Sequence, residues 1–305
     1  MKEINIGCSS NENYAQHLGV MIYSLLENCS NRERVKIFLM DGGISNNSKN
    51  KINRIVNKFG AKIFYKNPNK NLIEGLKICR HIGIETYYRF SLIEDGTYER
   101  LLYLDADLVI KGDLSEIFFK EFEDNIVFAV KDPGGSKNKK EELGIPLLEP
   151  YFNAGVLLID CKKWKNEDIT NRTLKFIKEN PKKIEYADQD GLNAILIKKW
   201  AQLNPSWNVI SRLYFYNYFK LKNPPNYENE NIKQIVNNPK IVHYASFIKP
   251  WFFLDPSPYK SVYLYYLRKT PWKNFKFPDK NIIGIFKRVR YYVGIILKKL
   301  GCFEK

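Results

Sequence analysis

Residues 101–110 read Leu-Leu-Tyr-Leu-Asp-Ala-Asp-Leu-Val-Ile, an apolar run with the composition of a buried strand and two carboxylates at its centre. Burying an unpaired carboxylate is costly, so the fold must surround this stretch with a cation, strong hydrogen bonds or an opening to solvent. If the strand runs through, alternation sends Asp105 and Asp107 out of one face, placed to hold a divalent metal together. If the strand stops at Leu104, the pair belongs to a turn. The stretch alone admits both arrangements.

The flanking sequence has the rhythm of an α/β fold. Residues 4–8 form an apolar strand, residues 9–13 are polar, and a helical spacing over 14–26 puts Leu18, Ile22, Leu25 and Leu26 on one side. Strand, polar turn and helix open a nucleotide-binding α/β fold, whose ligands sit at the carboxyl ends of the strands. Residues 9–14 are therefore a candidate site, with a plain helix cap as the alternative. The glycine fingerprint of dinucleotide binders is absent, which excludes the usual NAD arrangement. Strands over 35–40 and 61–65, with a helix through Ile52 and Ile55 between them, continue a parallel sheet covered on both faces.

Further along, residues 67–71 read as a loop, and 85–93 as a helix carrying Arg89 just ahead of the Asp stretch. A strand is expected over 126–130, then a polar, Gly-containing segment over 131–140 that serves as a connection or a lid. Phe152, Asn153, Ala154 and Gly155 open a strand over 156–159; the two small residues admit close approach of a sugar or of a neighbouring strand. Asp188, Gln189 and Asp190 begin a helix expected to reach about Trp200. Residues 204–208 form a turn. A short strand over 241–244 contains His243 and precedes Lys249-Pro250-Trp251.

The charge is uneven. Of the 49 basic and 33 acidic residues, twelve basic and two acidic fall in 259–305, so an excess of +10 out of +16 sits in the last segment. That points to an anionic partner. Over 281–300, Ile282, Ile285, Phe286, Val289, Val293, Ile296 and Leu300 recur at spacings of three and four, with Lys287, Arg288, Arg290, Lys298 and Lys299 largely off the stripe. A basic amphipathic helix of this kind reads as an interfacial anchor or as a helix packed on the body. The five cysteines are scattered with no C-x-x-C pair and read as reduced core residues. Residues 1–5 show no apolar signal segment, and no uncharged run reaches the ~18 residues of a membrane span. The expected location is cytoplasmic.

A polar turn after the first strand, an arginine before D-x-D, F-N-A-G at a strand, D-Q-D at a helix, and His-Tyr followed by Lys-Pro-Trp occur here in one order. In this combination the chain resembles glycosyltransferase family 8 over about residues 3–255, and within it the bacterial enzymes that add galactose or glucose to lipopolysaccharide or lipooligosaccharide. The resemblance implies a Rossmann-like, nucleotide-sugar-binding GT-A sheet, mixed and with helices on both faces, over 1–258. A basic, mainly helical membrane-association segment over 259–305 would follow. It implies a retaining transfer of a hexose from a UDP-sugar to a saccharide or glycolipid acceptor on the cytoplasmic face of the inner membrane, with no nucleic-acid partner.

The same resemblance assigns residues. Asp105, Asp107 and His243 would ligate Mn²⁺, with Mg²⁺ able to substitute. Lys249 and Ser246 belong to the loop that closes on the diphosphate, and Ser9, Asn11, Asn13 and Tyr14 to the turn that takes uracil and ribose. Arg89, Ala106, Asn153, Ala154, Asp188 and Gln189 would surround the donor, with Gln189, Asp188 and Arg89 nearest the reacting carbon. Two departures stand out: Asn11 replaces the usual acid, and Ser246 and Phe247 replace a usual Gly-Pro pair. A basic membrane- or nucleic-acid-binding protein without catalysis and a metal-dependent phosphohydrolase are the competing readings of the same residues.

Overall fold

A computed structural model describes residues 3–76, 78–79, 82–219, 227, 231–247 and 249–285. The first half forms as its pattern dictates. Strands β1 (Ile4–Ser10), β2 (Val35–Asp41) and β3 (Lys62–Lys66) pair in parallel, joined by the helices Ala15–Asn28 and Asn46–Lys58. Ser45 caps the second helix by accepting from Ser48 N, and Glu12 reaches across from the first turn to bond Ser45 N at 2.8 Å. β3 closes this edge with outward Lys62, Phe64 and Lys66; charge on an edge strand discourages pairing with another sheet.

The apolar run at 101–110 is two strands. β4 (Arg100–Leu104) pairs in parallel with β1, the chain turns through Asp105, Ala106 and Asp107, and β5 (Leu108–Ile110) enters a different sheet. The composition looks continuous because residues 101–104 and 108–110 are all buried. Convergence of the two carboxylates thus comes from a turn and not from strand alternation.

Strands β6 (Val127–Lys131), β7 (Phe152–Asp160) and β8 (Trp200–Gln202) complete a seven-stranded mixed sheet in the order β3-β2-β1-β4-β7-β6-β8, with β7 antiparallel to both neighbours. Strands β9 (Val209–Ile210) and β10 (Ile241–His243) join β5 in a three-stranded sheet ordered β5-β10-β9. A mixed α/β architecture is therefore present, as expected.

Several local expectations change. Phe152 to Gly155 lie inside β7, where the register with β6 shifts between Ala129 and Val130; such a bulge re-aims side chains. The polar segment expected over 131–140 gives way at its end to a helix, Lys137–Leu143, capped by Ser136 and ended by Gly144 at φ +73°. The helix expected to reach Trp200 is Ala187–Ile195, and Trp200 starts β8. Residues 70–73 make one helical turn that begins inside the loop expected over 67–71.

Helix Lys260–Lys269 packs on helix Ala15–Asn28 and joins the same apolar core, with Tyr263, Tyr266 and Leu267 buried. Of the helix expected over 281–300, residues beyond 285 lie outside the described part. No helix among the described residues is long and apolar enough to cross a membrane. Cys8, Cys29, Cys79 and Cys161 are buried, and burial pushes the Cys29 thiol up to about 11.

Candidate active site

A cleft of about 660 Å³ opens at the carboxyl ends of β1 and β4, between the large sheet and the small one. At its floor Asp105, Asp107 and His243 each offer a ligand atom within 4.8 Å of one another. His243 Nε2 lies 3.3 Å from Asp107 Oδ1 and 3.8 Å from Asp105 Oδ2. Its other nitrogen, Nδ1, meets the side-chain oxygen of Asn208 at 2.9 Å, and Asn208 Nδ2 in turn donates to Asn153 Oδ1 at 2.8 Å. That chain of donors puts a proton on Nδ1 and turns Nε2 toward the carboxylates.

Gly155 makes this approach possible. The small residues at 154–155 were expected to admit a sugar or a strand; what comes close is the His243 ring and the Asp105 carboxylate. The backbone fixes the turn from both sides, with Asp105 N donating to Gly155 O at 3.0 Å and Tyr244 N to Asp107 O at 3.1 Å.

The two carboxylates differ in charge environment. Burial holds Asp105 above the usual carboxylate range against the pull of Arg89 and His243, although its side chain is 30% exposed to the cleft. Burial works the same way on Asp107, but Lys249 and His243 outweigh it and hold the carboxyl well below that range. Lys249 Nζ donates to Asp107 Oδ2 at 2.6 Å and to Tyr244 O at 2.8 Å. Two carboxylates and one imidazole facing a polar opening, with one acid undercompensated, suit a small divalent cation such as Mn²⁺ or Mg²⁺.

Arg89 forms the next wall. Its side chain is 1% exposed and stacks over Tyr103 at 4.0 Å. The guanidinium donates to Ala154 O at 2.5 Å and to Thr86 O at 3.0 Å, and reaches Asp188 Oδ2 at 2.9 Å and Asp105 Oδ1 at 3.3 Å. Burial opposes its charge; Asp188, Tyr103 and Asp105 more than restore it. Burial also pushes the Asp188 carboxyl up to about 6, even with Arg89 beside it.

Gln189 is fully committed. Its Oε1 accepts from Ala154 N at 3.0 Å and Asn153 Nδ2 at 3.1 Å, while Nε2 donates to Asp132 Oδ2 and to Tyr151 Oη, each at 3.2 Å. The opposite amide orientation would set Nε2 against the Ala154 N–H, so the network fixes it. Asp190 points away from the cleft, accepting from Tyr151 Oη at 2.6 Å and from two backbone amides, with Lys139 Nζ at 2.8 Å.

Ser9, Asn11, Tyr14, Arg89, Asp105, Ala106, Asn153, Ala154, Asp188, Gln189, His243, Ser246 and Lys249 all line this cleft, as does Asp107. Asn13 does not; it is exposed on the 3₁₀ turn Glu12–Tyr14. The Ser9 hydroxyl is taken by Glu85 O and Tyr103 Oη, both at 2.8 Å. Asn11 caps the turn through Oδ1 to Tyr14 N and donates its amide to Glu85 Oε1 at 2.8 Å. Glu85 therefore places a carboxylate beside the asparagine. Glu85, Asp132, Tyr151 and Asn208 were not singled out from the sequence, because their role rests on partners 74, 21, 39 and 35 positions away.

The chain is similar to known proteins over nearly its whole length. It is 33% identical over 284 residues to general stress protein A of Bacillus subtilis, covering 91% of this chain and 98% of that one. It is 29% identical over 295 residues to the lipopolysaccharide 1,2-glucosyltransferase of Escherichia coli K12, covering 94% and 85%. Among solved structures, galactosyltransferase LgtC in complex with donor and acceptor sugar analogues superposes with a TM-score of 0.77 at 24% identity, covering 88% and 96%, a likeness of fold. Residues 5–255 match the model of the family described as glycosyl transferase family 8. With a mixed GT-A-type sheet, an acidic, histidine-bearing cleft and that match, the chain belongs to glycosyl transferase family 8 and is a glycosyltransferase.

Proposed function

We propose that this enzyme moves a hexose, galactose or glucose, from a UDP-sugar to a saccharide acceptor of a lipopolysaccharide, lipooligosaccharide or other cell-surface glycan, with retention at the anomeric carbon. The observation that carries the reading is the meeting of Asp105, Asp107, His243 and Lys249 at one end of a cleft whose other walls include Asn11, Arg89, Asn153 and Gln189. Asp105, Asp107 and His243 would hold Mn²⁺ or Mg²⁺, which when bound supplies positive charge against the departing diphosphate.

The chain's own residues do the rest. Lys249 lies beside the ligand cluster and would pair with the donor phosphates. Asn11, Tyr14 and Glu85 line the nucleoside end, Glu85 offering the carboxylate that Asn11 lacks. Arg89 and Asp188 hold the hydroxyl-rich side of the sugar, and Asn153 and the Ala154 amide fix Gln189.

Because both amide groups of Gln189 are engaged by protein atoms, it is a poor nucleophile for a covalent route. We favour substitution on one face: the bond from C1 to the phosphate oxygen breaks, the acceptor oxygen bonds C1 from the same side, and its proton passes to the departing phosphate. The +10 charge of 259–305 supports peripheral attachment to the anionic cytoplasmic face of the membrane.

Calorimetry and a UDP-sugar screen test this. Mn²⁺ is expected to tighten UDP binding, Asp105→Ala or Asp107→Ala to abolish that effect, and proton NMR to show an α-linked product from an α-linked donor. Metal-indifferent UDP binding, or turnover of phosphomonoesters in place of UDP-sugars, would reject it.

A further inference from the structure

Lys249 sits on a segment with no strand or helix of its own, yet the residue is 7% exposed and its ammonium is held at two points. The neighbouring anchor is Trp251, whose ring lies flat on that of His17 at a centroid distance of 3.4 Å and an angle of 14°. Tyr14, at the nucleoside end of the cleft, presents its edge to both rings at 5.5 and 5.7 Å. On the other side, His17 Nδ1 and Tyr263 Oη are 2.6 Å apart, and the Tyr263 ring is 5.6 Å from that of Trp251.

The same segment is clasped from beyond it. Lys260 Nζ donates to the carbonyls of Phe252, Phe253 at 2.9 Å and Asp255 at 3.5 Å; Asp279 accepts from Leu254 N at 2.9 Å. Lys260 and Tyr263 both belong to helix Lys260–Lys269, which is itself seated on helix Ala15–Asn28 by Tyr266 with Asn28 at 2.8 Å and Lys269 with Glu27 at 2.8 Å. Two packed helices thus hold the Lys249 segment, Ala15–Asn28 through His17 stacked on Trp251, and Lys260–Lys269 through Tyr263 against that ring pair and Lys260 on three carbonyls.

We propose that Trp251, His17 and Tyr263 are positioning residues for Lys249, so that the seating of helix Lys260–Lys269 sets how firmly the enzyme grips the phosphates of its donor. The inference rests on the reading above that Lys249 pairs with those phosphates. A displacement of order 1 Å at a point charge is enough to lose most of a phosphate contact, and a long flexible side chain has no orientation except what its backbone confers.

The measurement is the ratio of UDP affinity to uridine affinity, taken by calorimetry in Mn²⁺ on the full chain. Lys249→Met is expected to lower the ratio about 10–100-fold, the worth of a charge-assisted contact. His17→Ala is expected to lower it about 10-fold, and Tyr263→Phe, which removes one hydroxyl and keeps the ring, about 3-fold, with uridine affinity unchanged in both. If Lys249→Met lowers the ratio and the His17 and Tyr263 variants keep the wild-type value, the positioning inference fails. It fails equally if those variants weaken UDP and uridine alike, as a general loosening of the cleft would. If Lys249→Met itself leaves the ratio unchanged, the reading of Lys249 fails, and the positioning inference with it. Should His17→Ala not fold, Tyr263→Phe decides alone.

Discussion

Gly155 and His243 touch in a way that only hydrogen permits: a Cβ on Gly155 would overlap Cε1 of the imidazole and fall 2.7 Å from Oδ2 of Asp105. The glycine is there for a side-chain approach and not for a special backbone conformation. Gly155→Ala is expected to push the ring off the two carboxylates, weakening Mn²⁺-dependent UDP binding about 10–100-fold, the usual penalty for disturbing the supports of a metal site. Calorimetry checks it, with circular dichroism showing the fold intact.

Asn208 acts on the same imidazole from behind. Without its oxygen, Nδ1 loses the acceptor that fixes the tautomer. Asn208→Ala is expected to weaken divalent-metal affinity by about 10-fold or more while leaving uridine binding unchanged. Titration with Mn²⁺ monitored by its electron paramagnetic resonance signal reads this out directly.

Arg89 is the counter-charge of two acids. Replacing it by methionine leaves Asp188 buried and uncompensated and removes one partner of Asp105. The expected cost is about 3–5 kcal/mol by urea unfolding. The double variant Arg89→Met/Asp188→Asn should recover part of that loss, and strict additivity of the two changes would refute the coupling.

His17 gives the stability a dependence on pH. Burial lowers its pKa from an ordinary 6.5 to about 3; Asp107 favours its charge and Lys249 opposes it, and the groups against the ring are Tyr14, Trp251 and Tyr263. The unfolded chain therefore binds a proton that the folded chain refuses between pH 6.5 and about 3. The associated stability is full above 6.5 and lost as the pH falls through that window, at up to about 1.4 kcal/mol per tenfold difference in proton affinity. Melting curves from pH 7 to 4 are expected to show a shallower acid decline in His17→Phe than in wild type.

Much of the cleft was legible because its residues cluster in short motifs at strand ends: Asp105 with Asp107, Asn153 with Ala154, Asp188 with Gln189. The break between β4 and β5 was only one of the two arrangements that the stretch admits, and no local signal selected it. Leu108 to Ile110 are as buried as Leu101 to Leu104, in a second sheet, and Asp-Ala-Asp carries neither glycine nor proline to mark a turn. Helix Lys137–Leu143 falls where the sequence reads as a connection or a lid, although Ser136 before it, Gly144 after it and its Lys and Glu content are helix signals. Asn208 and Glu85 matter only through contacts across long stretches of chain, and no local pattern distinguishes them from loop residues.

The turn at 105–107 is also the place where the chain leaves the large sheet for the small one, and His243 arrives there from the small sheet's middle strand. A cation held by these three side chains would therefore fasten the two sheets to each other. Loading the site becomes a mechanical event for the whole molecule: at 100 times its dissociation constant a ligand adds about 2.7 kcal/mol to the work of unfolding. Heat resistance with and without divalent ions would then track occupancy at a joint between two halves of the body, independently of any sugar transferred.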